Sequence, residues 1–416
     1  MISQRQLFLL HNAQTSPAPL MIEVAKAEGN YLTDTAGNQY LDFLSGVSVC
    51  NVGHRHPHVL KAIYNQLDKY MHTMVYGEFI QSPQTLLAAK LNEHLSPKWN
   101  NETLSVYFSN SGAEAIDGAL KLAKRATGRS GIIAFKNAYH GSTHAALSLM
   151  SNEEFKNPFR PLLPDVRFLD FNNFEQLESI NSECACVVLE IIQSETGYTL
   201  GQNDWLTALK NKCTETGTLL IIDEIQTGFG RTGTLFAFEQ TDITPDILAC
   251  AKGMGGGMPI GAFIAPKYLM DTLSNNPVLG HITTFGGHPV CCAASLATME
   301  VIENENLLYS VPEKELLMRD LLKGNKTIKN ISGKGLMLSL EFENFDQNKT
   351  IIDKCIEKGM LTDWFLHAAN KLRLTPPLTI GEDDIRKACG IILECVKEAL
   401  QVHLVGGDAN QGQFGT

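Results

Sequence analysis

Lys252 closes the apolar run "DILACAK" and is followed at once by a glycine cluster, "GMGGGMP". A lysine in that setting can grip a phosphate, stand in solvent in a loose loop, or use its amine on a carbonyl. Asp223 ends a second apolar run, "TLLIIDE". Strand ends of this kind are where α/β sheets bind their ligands. "FSNSGAEAIDGALKLAK" reads as strand, small-residue turn and helix. Ser109, Ser111 and Gly112 stand where the chain enters that helix, and free N–H groups there form an anion site. The plainer alternative is an ordinary helix start, with Ser111 as cap and Glu114 completing a capping box. Tyr139, His140 and Gly141 follow "GIIAFKNA" at another strand end. The aromatic there either packs or offers a flat surface to a ring.

Together these residue types meet the needs of pyridoxal phosphate. Its phosphate wants helix N–H groups, its ring an aromatic face, its pyridine nitrogen a carboxylate, and its aldehyde a lysine amine. Two competing motifs fall short. "LLIIDE" resembles the magnesium-binding strand of nucleotide hydrolases, but the chain has no G-x-x-x-x-G-K-[ST]. "GFGRTG" fits G-x-G-x-x-G but runs into "TLFAFEQ", a poor opening for a dinucleotide-binding helix. "HRHPH" (54–58) sets three histidines two apart, which do not share a helix face, and no metal site is assigned.

The elements around these residues define the fold class. Between about 83 and 300, helical and strand patterns alternate, and many strands are apolar throughout, as in buried parallel sheets. The pattern predicts an α/β fold with a mostly parallel sheet flanked by helices. "HPHVLKAIYNQLDKYM" predicts a helix with Val59, Ile63, Leu67 and Tyr70 on one face. Beyond 300 the pattern turns to mixed α+β. The expected organisation is an N-terminal segment over 1–58 packing with a small domain at 301–405. A large cofactor-binding domain spans 59–300, and a polar tail at 406–416 is expected to be mobile.

The 416 residues suit more than one domain, and 44% hydrophobic residues suit large cores. A net charge of −11 argues against a nucleic-acid surface. The ten cysteines lack C-x-x-C spacing and sit mostly in apolar segments, as in reduced cytoplasmic proteins. No run of apolar residues is long enough to span a membrane.

Along residues 15–400 the chain resembles the class III, ornithine/acetylornithine-type aminotransferases of pyridoxal-phosphate fold type I. The matching stretches include "SNSGAEA", "AYHG", "IIDEIQTGFGRTG", "AKGMGGGMPIGA", "TTFGGHP" and "LRLTPPL", in that order. The resemblance implies a seven-stranded sheet, a homodimer and a ping-pong exchange between an amino donor and a 2-oxo acid. It implies that Lys252 bonds to the cofactor's aldehyde and then carries the proton of the substrate α-carbon. Asp223 would pair with the pyridinium nitrogen, Gln226 would lie by the phenolic oxygen, and Tyr139 would stack on the ring. Ser111, Gly112 and Ala113 would hold the phosphate, Thr284 would reach it from the partner subunit, and His140 and Glu190 would complete the cofactor site. Arg373 would grip the α-carboxylate of 2-oxoglutarate or glutamate, with Glu195 as the gate that pairs with it when another donor is bound.

Three positions depart from the family pattern. Ile191 and Ser194 replace a proline and a glycine in the stretch from Glu190 to Glu195. Ser142 stands where ornithine and acetylornithine enzymes carry an arginine for the donor's α-carboxylate. A hydroxyl cannot replace a bidentate cation. Met71, Met74, Val75, Tyr76 and Phe79 fall in a segment that often lines the family's donor pocket, and their apolar character suits a less polar amine. The expected activity is transfer from a primary amine or ω-amino acid to 2-oxoglutarate or pyruvate. The alternatives are an acetylornithine or ornithine enzyme proper, or an aminomutase, racemase or decarboxylase of the same fold.

Overall fold

The computed structural model describes residues 2–407, with side chains to 401, so the proposed tail at 406–416 lies almost wholly outside the described residues. Seven strands form the central sheet: β1 (Leu104–Ser109), β2 (Gly131–Phe135), β3 (Val166–Leu169), β4 (Cys184–Leu189), β5 (Leu219–Asp223), β6 (Ile247–Cys250) and β7 (Gly261–Pro266). Their order is β1-β7-β6-β5-β4-β2-β3. Only β7 runs against its neighbours, pairing antiparallel with β6 and β1. The C-terminal ends of β1, β2, β4, β5 and β6 therefore share one edge of the sheet.

The strands are apolar throughout because both faces are covered. Val187, Leu189, Leu220 and Ile222 enter one buried cluster, while Cys186, Val188 and Ile221 enter the other. Alternate side chains of one strand thus reach opposite helix layers. Of the ten cysteines nine are buried, and none is joined by a disulfide.

The N-terminal strands Tyr31–Asp34 and Gln39–Asp42 form a hairpin, and Leu41 and Asp42 pair in parallel with Met360 and Leu361. A second four-stranded sheet joins Asn330–Lys334, Met337–Glu341, Ala368–Leu374 and Trp364–Phe365. Immediately after the hairpin, Ser45, Gly46, Val47 and Ser48 all have positive φ, from 51° to 63°. This left-handed turn includes a β-branched residue, for which that conformation costs about 1–3 kcal/mol. Neighbours hold it: Asp42 accepts from the N–H groups of Leu44 and Ser45 at 2.9 Å each, and the Ser45 hydroxyl donates to the Thr375 carbonyl at 2.6 Å.

The helix predicted over 56–71 ends at Leu67, which is exposed, and Gln66 is buried in its place. The Gln66 amide reaches the Tyr70 carbonyl at 2.9 Å, so a polar residue is accommodated by capping the helix end. The edge strand β3 was not foreseen, because Arg167 interrupts its short apolar run. The three histidines of "HRHPH" meet three different carboxylates: His54 with Asp42, His56 with Glu305 and His58 with Glu300. No group of metal-ligating side chains gathers among the described residues, and no helix there is long and apolar enough to cross a membrane.

Candidate active site

A cavity of about 530 Å³ opens at the shared strand edge. It is lined by Ser111, Gly112 and Ala113 after β1, and by Tyr139, His140 and Ser142 after β2. Glu190 and Ser194 follow β4, Asp223 and Gln226 lie at the end of β5, and Lys252 lies just past β6. The sheet thus brings together residues far apart in sequence.

The helix Gly112–Thr127 starts as expected, with Ser111 as its cap and its hydroxyl accepting from Glu114 N at 3.2 Å. The capping box does not close. Glu114 instead accepts from the Asn110 N–H and side-chain amide, both at 2.8 Å. The Ser111 N–H is thereby left without a partner among the described residues, as are those of Gly112 and Ala113 in the first turn. A side chain at Gly112 would meet Ile225 at 2.8 Å, and one at Gly141 would meet Ala113 Cβ at 2.6 Å. Both glycines are required by close packing around the helix start.

At the end of β5, Asp223 Oδ2 lies 2.7 Å from His140 Nδ1, and Oδ1 accepts from Ile225 N at 2.9 Å. Burial opposes charge on His140, but Asp223 outweighs it and the imidazole pKa is raised. Glu190 accepts from Tyr139 N at 3.2 Å and from the Ser194 hydroxyl at 2.6 Å. Burial pushes its pKa up to about 7, against the opposing field of His140. Lys252 sits in the left-handed region at φ 44°. Desolvation lowers its pKa, with Glu195 and Asp223 acting the other way.

Two buried polar atoms beside these groups have no protein partner: His140 Nε2 and Gln226 Oε1. Gln226 Nε2 donates to the Ser48 hydroxyl at 3.4 Å, which ties the left-handed turn to the cavity wall. Unpartnered N–H groups, a buried carboxylate, a partly desolvated amine and two unpaired polar atoms around one cavity fit a phosphorylated pyridine aldehyde.

Arg373 and Glu195 do not line this cavity. They pair beside it, close enough for both charges to act on Lys252. Arg373 Nη2 donates to both Glu195 carboxylate oxygens at 3.1 Å. Its Nε donates to Asp363 at 2.8 Å, and Phe365 lies 4.3 Å from the guanidinium. Burial opposes the Arg373 charge, but Tyr198 and the two carboxylates outweigh it and raise its pKa. Arg373 also holds the Glu195 pKa down against burial. Asp363 carries no motif and was missed in sequence. Its signal was an acidic residue inside the otherwise apolar "MLTDWF", which must find a partner if buried.

Two further expected site residues lie outside the cavity lining of their own chain. Tyr76 does not line the cavity of its own chain; its segment lies at the surface, where His72 packs on Phe285 with ring centres 4.9 Å apart. Thr284, expected to act from a partner subunit, is exposed and outside the cavity lining of its own chain. "GFGRTG" contributes packing: Arg231 is fully buried, and donates to Asn51 Oδ1 at 2.6 Å and to the Leu336 carbonyl at 3.2 Å. The glutamate of "LLIIDE", Glu224, accepts from Phe238 N at 2.7 Å and Ala237 N at 3.0 Å.

Residues 12–396 match the family model described as aminotransferase class-III. The acetylornithine aminotransferase of Bacillus cereus is 38% identical over 381 residues, covering 90% of this chain and 95% of that one. Among solved structures, the ornithine aminotransferase of Toxoplasma gondii superposes with a TM-score of 0.87 at 29% identity, over 95% of this chain and 93% of that one. An amine transaminase from an uncultivated Pseudomonas species, in its pyridoxal-phosphate-bound form, gives 0.82 at 27% identity over 94% and 97%. The match over nearly the whole length, with the strand-edge cavity intact, places this chain in the class-III aminotransferases.

Proposed function

We propose that this pyridoxal-phosphate-dependent aminotransferase takes its amino group from a primary amine or an ω-amino acid and delivers it to a 2-oxo acid, 2-oxoglutarate or pyruvate. When bound, the cofactor supplies the aldehyde that exchanges amino groups and a pyridinium ring that accepts electron density from the substrate α-carbon. The chain supplies the rest. The first N–H groups of the helix at Gly112 bind phosphate. Asp223 keeps a ring nitrogen protonated, and His140 fixes and buries that carboxylate. Tyr139 offers its ring face, and Gln226 Oε1 offers a buried acceptor for the phenolic oxygen's hydrogen bond network. Lys252, its charge disfavoured by desolvation, has an amine suited to form a covalent bond and to carry a proton at Nζ.

One observation carries the choice of donor. A guanidinium is held ready behind Glu195, while Ser142, exposed in the cavity lining, presents a hydroxyl 3.2 Å from the Tyr139 hydroxyl. A 2-oxo acid has a cationic anchor in Arg373. A donor α-carboxylate has none at Ser142. The test is a panel of amines, ω-amino acids, ornithine and acetylornithine against 2-oxoglutarate and pyruvate. Acetylornithine used faster than every amine would overturn this choice. That second reading is favoured by the 38% identity to an acetylornithine aminotransferase. Turnover without any 2-oxo acid would point instead to a mutase or racemase.

The proposal includes a homodimer. Met71, Phe79, Ile80, Val278 and Ile282 are exposed on the two segments that meet at His72 and Phe285. A second copy seated there would cover them, and would bring Thr284 and Tyr76 toward the other copy's cavity. Ten free thiols accord with a cytoplasmic enzyme.

A further inference from the structure

Six consecutive residues, Thr362 to His367, each touch Arg373 or Glu195. The Thr362 hydroxyl donates to the Arg373 carbonyl at 2.6 Å. Asp363 accepts from Arg373 Nε at 2.8 Å, and its carbonyl accepts from Arg373 N at 2.9 Å. The Trp364 carbonyl accepts from Nη2 at 3.4 Å, and the Phe365 ring lies against the guanidinium plane. Leu366 N donates to Glu195 Oε2 at 3.0 Å, and His367 N to the Glu195 carbonyl at 3.0 Å. The guanidinium is thus divided between two carboxylates. Its Nε edge belongs to Asp363, and one Nη group belongs to Glu195.

The two bonds differ in kind. Asp363 directly precedes the strand Trp364–Phe365, and its own carbonyl accepts from Arg373 N, so its carboxylate is carried by backbone bonded to Arg373 itself. Glu195 lies in a short helical turn, and its backbone carbonyl accepts from His367 N, so only its side chain bonds Arg373. A planar guanidinium gripped at one edge and backed by an aromatic face has its remaining edge aimed in a fixed direction.

We propose that Asp363 is the positioning residue of Arg373: it holds the Nε edge fixed, so that the Nη edge alone passes between Glu195 and the carboxylate of an incoming 2-oxo acid. This rests on the aminotransferase reading with a 2-oxo acid acceptor. Removing the grip lets the guanidinium turn toward Glu195, and the acceptor then meets a misaimed cation.

The test uses the holoenzyme and follows each half-reaction by cofactor absorbance, with glutarate binding measured by calorimetry. Asp363→Ala is expected to raise the acceptor KM and the glutarate Kd about tenfold. The rate with the amine donor should change less than about threefold. Asp363→Asn keeps an acceptor for Nε and should restore both acceptor values to within about threefold of the parent. An unchanged glutarate Kd in Asp363→Ala overturns the proposal. So does an asparagine variant as poor as the alanine one, or an equal loss in both half-reactions, which would mark a purely structural residue. Failure of the parent enzyme to discharge its amino group to any 2-oxo acid would refute the functional reading instead, and the glutarate Kd would still judge Asp363.

Discussion

His140 Nδ1 and Asp223 Oδ2 stand 2.7 Å apart, both sealed from solvent, at the end of β5. One carboxylate oxygen is thereby committed to the imidazole and the other to the Ile225 N–H. Asp223→Asn keeps the shape and removes the charge. The amide should lower kcat by about 10²–10³, as expected when a preorganised charge at the reacting ring is lost. Steady-state rates with the best donor of the panel measure this, and equilibrium dialysis reports the accompanying loss of cofactor affinity.

Lys252→Ala removes the reacting amine. Transamination should fall by at least about 10³-fold. Desolvation already disfavours the lysine charge, so the apo-protein should keep or slightly gain thermal stability. A melting curve beside the activity assay separates this outcome from misfolding.

Ser142→Arg restores a cation at the exposed position beside Tyr139. The ratio of kcat/KM for acetylornithine over a simple primary amine should rise about tenfold or more, the worth of one charge-assisted bidentate contact. If that ratio stays flat, the donor carboxylate is not anchored at this position.

Gly112→Ala should weaken cofactor binding about tenfold, because its Cβ would collide with Ile225 at 2.8 Å and tilt the phosphate-binding N–H groups. Ile225→Ala in the same chain makes room for it. Cofactor dissociation constants of the two single variants and the double variant should therefore be non-additive.

The Asp42 hydrogen bond, with help from Cys50, raises His54 to about 10. The folded pKa lies above the ordinary value of 6.5. The stabilisation is therefore full below about pH 6.5 and is lost as pH rises through about 10. Between those limits the melting temperature of the parent should fall more steeply than that of His54→Asn, whose curve lacks this contribution.

The parts of the site that recur as short strings were legible in sequence. Lys252, Asp223 and the Ser111–Ala113 turn each end a strand or begin a helix, and strand ends gather at one sheet edge by topology alone. Asp363 was not legible, because its role comes from a cross-strand register that no local pattern encodes. Glu114 misled for a related reason. Its spacing from Ser111 suits a capping box, but Asn110 offered two donors and took its carboxylate. Leu67 misled because periodicity reports which side chains share a face, and not where the helix stops.

The left-handed turn at Ser45–Ser48 links two parts of the site that lie far apart in sequence. Thr375, two residues past Arg373, bonds one end of the turn, and Gln226 meets the other through Ser48. One strained loop thus fastens the strand of the carboxylate grip to the wall of the cofactor cavity, so a substitution at Val47 reaches both at once.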